Sequence, residues 1–113
     1  MLRFAVFAVI VLVLSACGSG TPVTLHNTSK HQLDSVVISG SGFQASLGTV
    51  AAGQSLTAKV YPSGESGLAI TFSADGKNFS YEPQDYFEGG GRYKVSATVN
   101  RNLTVAVHSD TWP

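Results

Sequence analysis

The chain has 113 residues, with seven Lys or Arg side chains against seven Asp or Glu and three His. A single domain is expected at this length. The zero formal net charge excludes a strongly basic nucleic-acid binder and a polybasic membrane binder. With 43% hydrophobic and 12% charged residues, the chain is not wholly disordered. A single cysteine excludes an internal disulfide and a cysteine-based zinc site.

The N-terminus has the three parts of a bacterial export signal. Arg3 supplies a positive charge, residues 4–14 (FAVFAVIVLVL) are all apolar, and small residues follow at Ser15 and Ala16. A membrane-spanning helix needs about 20 apolar residues, so this run is too short to cross a bilayer comfortably. The pattern therefore predicts a signal peptide over residues 1–16.

The sequence Leu14-Ser15-Ala16-Cys17 resembles the lipobox of bacterial lipoproteins. The resemblance implies cleavage before Cys17, a diacylglycerol thioether on its sulfur and acylation of the new amino group. Each buried CH₂ contributes roughly 0.8 kcal/mol, so several chains give stable anchoring. The alternatives are a plain secretory signal with a chance cysteine and an uncleaved N-terminal membrane anchor. In lipoproteins of the enterobacterial type, Asp at the next position favours the inner membrane. Gly18 therefore favours the periplasmic face of the outer membrane.

Residues 18–22 (GSGTP) contain no large apolar side chain and indicate a short flexible tether. The chain is therefore divided into a signal peptide (1–16), a lipidated cysteine with its tether (17–22), a folded domain (23–108) and a C-terminal tail (109–113). A tether of five residues reaches only about 17 Å when extended, so the domain is expected close to the membrane.

From Val23 onward the apolar residues recur with a period of two rather than at helical spacing. This alternation predicts half-buried antiparallel strands. The predicted strands contain Val23 and Leu25; Val36 and Ile38; Phe43, Ala45 and Leu47; Leu56, Ala58 and Val60; Leu68, Ile70 and Phe72; Tyr93, Val95, Ala97 and Val99; Leu103, Val105 and Val107; and, in a shorter strand, Phe79 and Tyr81.

The turns fit this interpretation, since Asp75-Gly76 is a hairpin signal between two predicted strands. Seven or eight short strands indicate an all-β fold, a small antiparallel β-sandwich, with a small closed barrel as the alternative. The alternation and the segment 49–55 (TVAAGQS) resemble bacterial immunoglobulin-like sandwiches over residues 23–107. The cysteine and tryptophan hallmarks of antibody domains are absent, because Cys17 precedes the domain and Trp112 follows it. No functional family is assigned to the folded part.

The most distinctive segment is 80–93 (SYEPQDYFEGGGRY), predicted to be a surface loop. Clustered aromatic and acidic side chains favour recognition of a protein or ligand. The alternatives are an ordinary loop whose aromatic rings pack onto the sandwich, and a calcium site built from Glu82, Asp85 and Glu88. The candidate partner or ligand surface consists of Tyr81, Glu82, Asp85, Tyr86, Phe87, Glu88 and Arg92.

Other candidate chemistry is sparse. His26, His31 and His108 are candidate metal ligands if their strand ends meet, although their spacing matches no tight metal motif. A hydrolytic site would need His31, Asp34 and a serine to converge, and no serine lies in a nucleophile motif. Three Asn-x-Ser/Thr triplets, at Asn27, Asn78 and Asn102, are interpreted as chance in a bacterial lipoprotein.

These observations predict a membrane-anchored envelope lipoprotein that acts as a non-catalytic binding or structural module. Its expected partners are the membrane, through the N-terminal lipid, and an envelope protein or glycan, contacted by the 80–93 segment or by a strand edge. No cofactor and no nucleic-acid partner are expected. The alternatives are a ligand- or metal-ion-binding periplasmic lipoprotein and an unrecognised hydrolase.

Overall fold

The computed structural model describes residues 20–112, which form eight β-strands joined by turns. The predicted signal peptide and Cys17 lie outside the described residues. The all-β prediction of seven or eight strands is confirmed. The strands are β1 (Thr21–Asn27), β2 (Leu33–Gly40), β3 (Phe43–Val50), β4 (Ser55–Val60), β5 (Glu65–Ala74), β6 (Lys77–Glu88), β7 (Tyr93–Val99) and β8 (Val105–Thr111).

The strands form two four-stranded sheets. Sheet A has the order β4-β1-β7-β8 and sheet B the order β3-β2-β5-β6. Each sheet keeps two edge strands, so the fold is a sandwich and not the closed barrel that was the alternative. The strand pairs are antiparallel except that β1 runs parallel to β7. Parallel neighbours require a long crossover, and here β2 to β6 lie between them in the chain.

The core follows the alternation of the sequence. Along β1, residues 21, 23, 25 and 27 are buried and those between them are half-exposed, and β5 repeats the pattern over residues 66–74. One face of each sheet therefore faces the other sheet. The buried apolar set is Val23, Leu25, Leu33, Val36, Ile38, Val50, Val60, Leu68, Ile70, Phe72, Ala74, Phe87, Val95, Ala97, Val99 and Leu103.

The inward residues of the edge strands are only partly buried. Examples are Leu47 on β3, Leu56 on β4 and Val105 on β8, which pack against the rim of the core. An edge strand has a neighbour on one side alone, so its inward side chains are covered less completely. The sandwich therefore has two sides where edge strands of the two sheets face each other, a β3–β4 side and a β6–β8 side.

Two predicted boundaries are corrected by the strand bounds. Thr21 and Pro22, assigned to the tether, begin β1, where Pro22 pairs with Lys59 of β4 before the ladder to β7 starts at Val23. Proline is tolerated at such a strand start. Residues 109–111, assigned to the tail, complete β8 and pair with residues 93–95 of β7. Backbone pairing does not need apolar side chains, so the polar sequence gave no sign of it.

The predicted hairpin at Asp75-Gly76 is confirmed. Both residues have positive φ, 51° and 72°, between the end of β5 and the start of β6. This is the backbone that a two-residue hairpin of the favoured twist requires. Among residues 20–112 there is also no helix long and apolar enough to span a membrane.

Candidate functional site

The predicted surface loop 80–93 is mainly strand. Residues 80–88 belong to β6, the edge strand of sheet B, and Tyr93 begins β7, which leaves only a short turn between them. The prediction was wrong because Pro83 and the acidic residues indicated a loop. An edge strand tolerates proline, and two register shifts along β6 accommodate the extra residues. One shift lies beside Asp85, whose φ is +61°.

Phe87 is wrongly placed in the predicted surface. Its side chain is fully buried, and its ring lies 6.2 Å from that of Phe43, centroid to centroid, across the inner side of sheet B. Phe87 lies opposite the buried Ser66 and on the same face of β6 as Tyr81, because the second register shift cancels the first. Phe87 is therefore a core residue and cannot contact a partner.

Tyr81 and Asp85 connect β6 to the edge of sheet A. The Tyr81 hydroxyl donates to the Leu103 carbonyl at 2.6 Å. One Asp85 oxygen accepts from the Ser109 amide of β8 and the other from the Tyr86 amide, both at 2.8 Å. Gln84, which the sequence analysis did not single out, adds a bond from its amide to the Val105 carbonyl at 3.3 Å. Together these side chains close the β6–β8 side.

Replacing Asp85 by Ala is expected to lower the free energy of unfolding by about 1–2 kcal/mol, because two exposed backbone amides lose a charged acceptor. Asp85→Asn keeps one acceptor oxygen and a residue type that tolerates positive φ, so it should lose less. The comparison is made by urea unfolding, with Glu82→Ala as the matched control on an exposed residue of the same strand. Equal stability of the Asp85 and Glu82 variants would contradict the role of Asp85.

The remaining members of the predicted surface lie at one end of the molecule. Tyr86 is 43% exposed and its ring meets that of Tyr93 edge-on, with 6.1 Å between the centroids. Glu88 lies directly opposite Glu65 in the β5–β6 ladder, which places two like charges side by side. Partial desolvation, followed by the hydrogen bond and the charge of the neighbouring Glu88 and by the charge of Glu65, raises the pKa of the Tyr86 phenol above its ordinary value.

The three histidines do not converge. His26 Nδ1 lies 2.8 Å from the Ser55 hydroxyl on the outer face of sheet A, and His108 Nε2 lies 3.1 Å from an Asp110 oxygen on β8. Two strand spacings, about 10 Å, separate β1 from β8. His31 lies in the segment before β2, which is a strand of sheet B. Within residues 20–112, no three His, Cys, Asp or Glu side chains form a group suited to a metal ion, the acids of β6 included.

The hydrolytic arrangement also differs from the hypothesis. Asp34 accepts hydrogen bonds from Gln32 and Thr49. In the described part of the chain no hydrogen bond links the His31 ring to Asp34 or to a serine. The exposed pair of His26 and Ser55 unites a base and a hydroxyl, but no carboxylate among residues 20–112 hydrogen-bonds the imidazole. An activated nucleophile needs such an orienting group.

Among residues 20–112, Asn27 has the polar side chain with the most hydrogen bonds, a role that its sequence context did not indicate. It is 1% exposed and lies at the end of β1. Its amide nitrogen donates to the carbonyls of His31, Val50 and Ala51 at 2.8, 3.2 and 3.1 Å. Its oxygen accepts from the amide and the hydroxyl of Ser29. Asn27 therefore joins three chain segments, and its amide group is not available as a glycosylation acceptor in the folded domain.

A shallow depression of about 330 Å³ lies beside the bulge of β2, where Ser35 has a φ of 50°. Its wall combines hydroxyl and amide side chains with two phenyl rings, and no charged side chain lines it. The lining residues are Ser35, Thr71, Phe72, Ser73, Asn78, Phe79 and Ser80.

The β3–β4 side is open and apolar. Phe43, Ala45 and Leu47 of β3 and Leu56 of β4 are partly buried at its rim. In the segment from Gly20 to Trp112, no side-chain hydrogen bond joins β3 to β4. Strand β3 (FQASLGTV) contains neither a charged residue nor proline, whereas the other edge of sheet B contains Glu82, Pro83 and Asp85. Charge and proline protect an edge strand against further pairing, and β3 has neither, although a register shift interrupts its ladder with β2 beside Gly48.

No protein-family model matches the chain, and no curated protein sequence matches it significantly. Among solved structures, it is similar to an NMR structure of a protein from Eubacterium rectale. The match covers 82% of this chain and 90% of that one, with a TM-score of 0.57 and 16% sequence identity. At that identity the likeness concerns the fold alone.

Proposed function

We propose that this protein is a lipid-anchored, non-catalytic module of the bacterial envelope that binds an extended segment of another envelope protein along the edge of β3. The anchoring part of the proposal rests on the sequence Leu14-Ser15-Ala16-Cys17 after the apolar run 4–14. The binding part rests on the difference between the β6–β8 side, which side-chain hydrogen bonds close, and the β3–β4 side, which has no such bonds among residues 20–112.

The single observation behind the binding surface is that only one side is closed. On the β6–β8 side, Tyr81, Gln84 and Asp85 hydrogen-bond the backbone of β8 or of the turn before it. On the β3–β4 side the edge of sheet B is uncharged. A free strand edge offers unpaired N–H and C=O groups to an added strand. An uncharged edge strand with unpaired backbone groups favours pairing with a strand of a partner.

The side chains of β3 also indicate which side chains the partner segment carries. Main-chain hydrogen bonds provide affinity in strand addition, and alternate side chains provide specificity. The rim residues Phe43, Leu47 and Leu56 are apolar and half-buried. A segment that pairs with β3 would complete their burial with apolar side chains at every second position. The proposed partner segment is therefore extended, alternately apolar and without charge on its inward face.

The tether limits where this partner lies. Because β1 begins at Thr21, three residues separate its first residue from Cys17, and the four Cα–Cα steps between Cys17 and Thr21 reach about 14 Å at most. A lipidated Cys17 therefore holds the sandwich next to the lipid headgroups. The partner is a protein at the same membrane surface, proposed to be the periplasmic face of the outer membrane.

The experiment uses a photo-crosslinking residue at Ser46, an exposed position of β3, in cells that process the full chain. We expect a crosslinked envelope protein that is lost when Gln44 is replaced by Lys, because charge on an edge strand opposes pairing. Both positions are exposed, so the change in stability is expected within about 0.5 kcal/mol. The matched control places the photo-crosslinker at Ser80 and the lysine at Asn78, exposed residues of the other edge of sheet B.

The same crosslinked protein at Ser46 and Ser80, unaffected by either lysine, would contradict binding along β3. The absence of any protein crosslink at Ser46 in intact envelopes would contradict it too.

A further inference from the structure

The large hydrophobic side chains exposed among residues 20–112 are all aromatic. They are Tyr61, Trp112 and Tyr86, with exposed fractions of 56%, 49% and 43%. Each belongs to a different part of the chain, namely the residue after β4, the residue after β8 and the last third of β6. Nothing in the sequence places them together.

The strand register brings these residues to one end of the sandwich. Thr21 pairs with Val60 at the end of β4, and Tyr93 pairs with Thr111 at the end of β8. Because β1 and β7 are parallel, with Val23 beside Val95, the starts of β1 and β7 lie at that same end.

Contacts also join the residues one position beyond these ladder pairs. The Trp112 amide donates to the Arg92 carbonyl at 2.9 Å. The Tyr61 ring packs over Gly20 so closely that a Cβ at Gly20 would lie 2.9 Å from it. Tyr86 joins them through its ring contact with Tyr93. We name this region, with Gly20, Tyr61, Tyr86, Arg92 and Trp112, the anchor-side end, because the chain leaves it toward Cys17.

We infer that the anchor-side end lies in the headgroup region of the phospholipid bilayer, with Trp112, Tyr61 and Tyr86 at the boundary between headgroups and acyl chains. The inference rests on the proposed lipidation of Cys17. Two residues, 18 and 19, lie between Cys17 and Gly20, and the Tyr61 ring packs over Gly20, so the lipid and this ring are held close together.

The chemistry of this end suits a lipid surface. Tyr and Trp have an apolar body and a polar tip, and they concentrate at membrane–water interfaces. Their exposure is costly in water but favourable where acyl chains are within reach. The rings lie on a strand or directly after one, so the sandwich already holds their backbone in place and little backbone freedom is lost when they bind.

The charges favour a tilt toward sheet A. Three exposed basic residues lie near this end on the outer face of sheet A or directly before its strand β7, namely Lys59, Arg92 and Lys94. The acidic residue beside them on that face is Asp110, the ladder partner of Lys94. Glu65 and Glu88 lie on sheet B. Lipid phosphates attract the cations and repel the acids. Trp112 and Tyr61, which extend sheet A, should therefore lie deeper in the interface than Tyr86.

Trp112 is the single tryptophan of the chain and reports directly on this contact. The test uses the full, processed protein in vesicles of phosphatidylethanolamine and phosphatidylglycerol. We expect blue-shifted Trp112 emission that is strongly quenched by phospholipids brominated near the headgroup and weakly quenched by iodide in the buffer. Replacing Tyr61 by Ser should increase the quenching by iodide.

The matched control moves the fluorophore to the other end of the sandwich, in a variant with Trp112→Phe and Arg101→Trp. Residue 101 is exposed in the turn between β7 and β8. Its emission should be quenched by iodide and not by brominated lipid. Equal behaviour of the two fluorophores would overturn the inference.

The outcomes separate this inference from the proposed anchoring. One outcome is that the protein sediments with vesicles, that Cys17→Ser abolishes this sedimentation, and that iodide still quenches Trp112. The anchoring proposal would then stand, and the membrane contact of the anchor-side end would be wrong. If mass spectrometry finds no lipid on Cys17 and the protein does not sediment with vesicles, the anchoring proposal is lost, and the membrane contact with it.

Discussion

Replacing Asn27 by Ala is expected to lower the free energy of unfolding by about 3–5 kcal/mol, because buried partners would lose their hydrogen bonds together. The carbonyls of His31, Val50 and Ala51 would lose a donor, and Ser29 would lose the oxygen that accepts from its amide and hydroxyl. A small domain has about 5–15 kcal/mol in total, so this variant should be close to unfolding.

Asn27→Asp sharpens the test, since it preserves size and an acceptor oxygen but removes both N–H donors. A carboxylate would face three carbonyl oxygens in a buried site, so the loss should be at least as large as for Ala. Urea unfolding of both variants measures the effect. Asn78→Ala, an exposed asparagine of β6, is the matched control with an expected change within about 0.5 kcal/mol. Wild-type stability of Asn27→Asp at neutral pH would contradict the network.

Replacing Phe87 by Ala is expected to cost about 3–5 kcal/mol of unfolding free energy, because it removes a fully buried ring and leaves a cavity beside Phe43. The neighbouring Tyr86 is the matched control, since its side chain is 43% exposed. Tyr86→Ala should cost about 1 kcal/mol or less. Urea unfolding again gives both values.

Similar losses for Tyr86→Ala and Phe87→Ala would contradict the placement of Phe87 in the core. The pair also has a practical meaning for binding studies. A double alanine variant of these two residues would measure loss of the fold before it measured loss of a partner contact, whereas Tyr86→Ala alone leaves the core intact.

The period-two alternation was sufficient to predict the sheet structure, because inward residues such as Leu25 and Ile70 alternate with polar neighbours along regular strands. It failed where the backbone is irregular. The first register shift of β6 turns Gln84 inward in place of Pro83 and Asp85, the second restores the alternation at Phe87, and no local pattern of the sequence marks either bulge. The parallel pairing of β1 with β7 was missed since turn signals report only on neighbouring strands.

The candidate site was predicted in part. Tyr86, Glu88 and Arg92 do lie together near one end, but Tyr81 and Asp85 are engaged with the backbone of sheet A or its turn. The missing information is tertiary, because a carboxylate that accepts from Ser109 looks the same in the sequence as one that faces solvent. The same is true of Asn27, whose Asn-x-Ser triplet gave no indication of burial.

The central position of β1 also determines the order in which the molecule can assemble. Strand β1 needs β4 on one side and β7 on the other, and its end is tied to β7 by the Thr28–Val99 hydrogen bond across 71 residues. The hairpins β2–β3 and β5–β6 close locally and at small entropic expense. Sheet B can therefore form early, while sheet A stays incomplete until β7 and β8 are available. A chain truncated before β7 would leave β1 paired on one side alone, and such products should be sensitive to proteolysis.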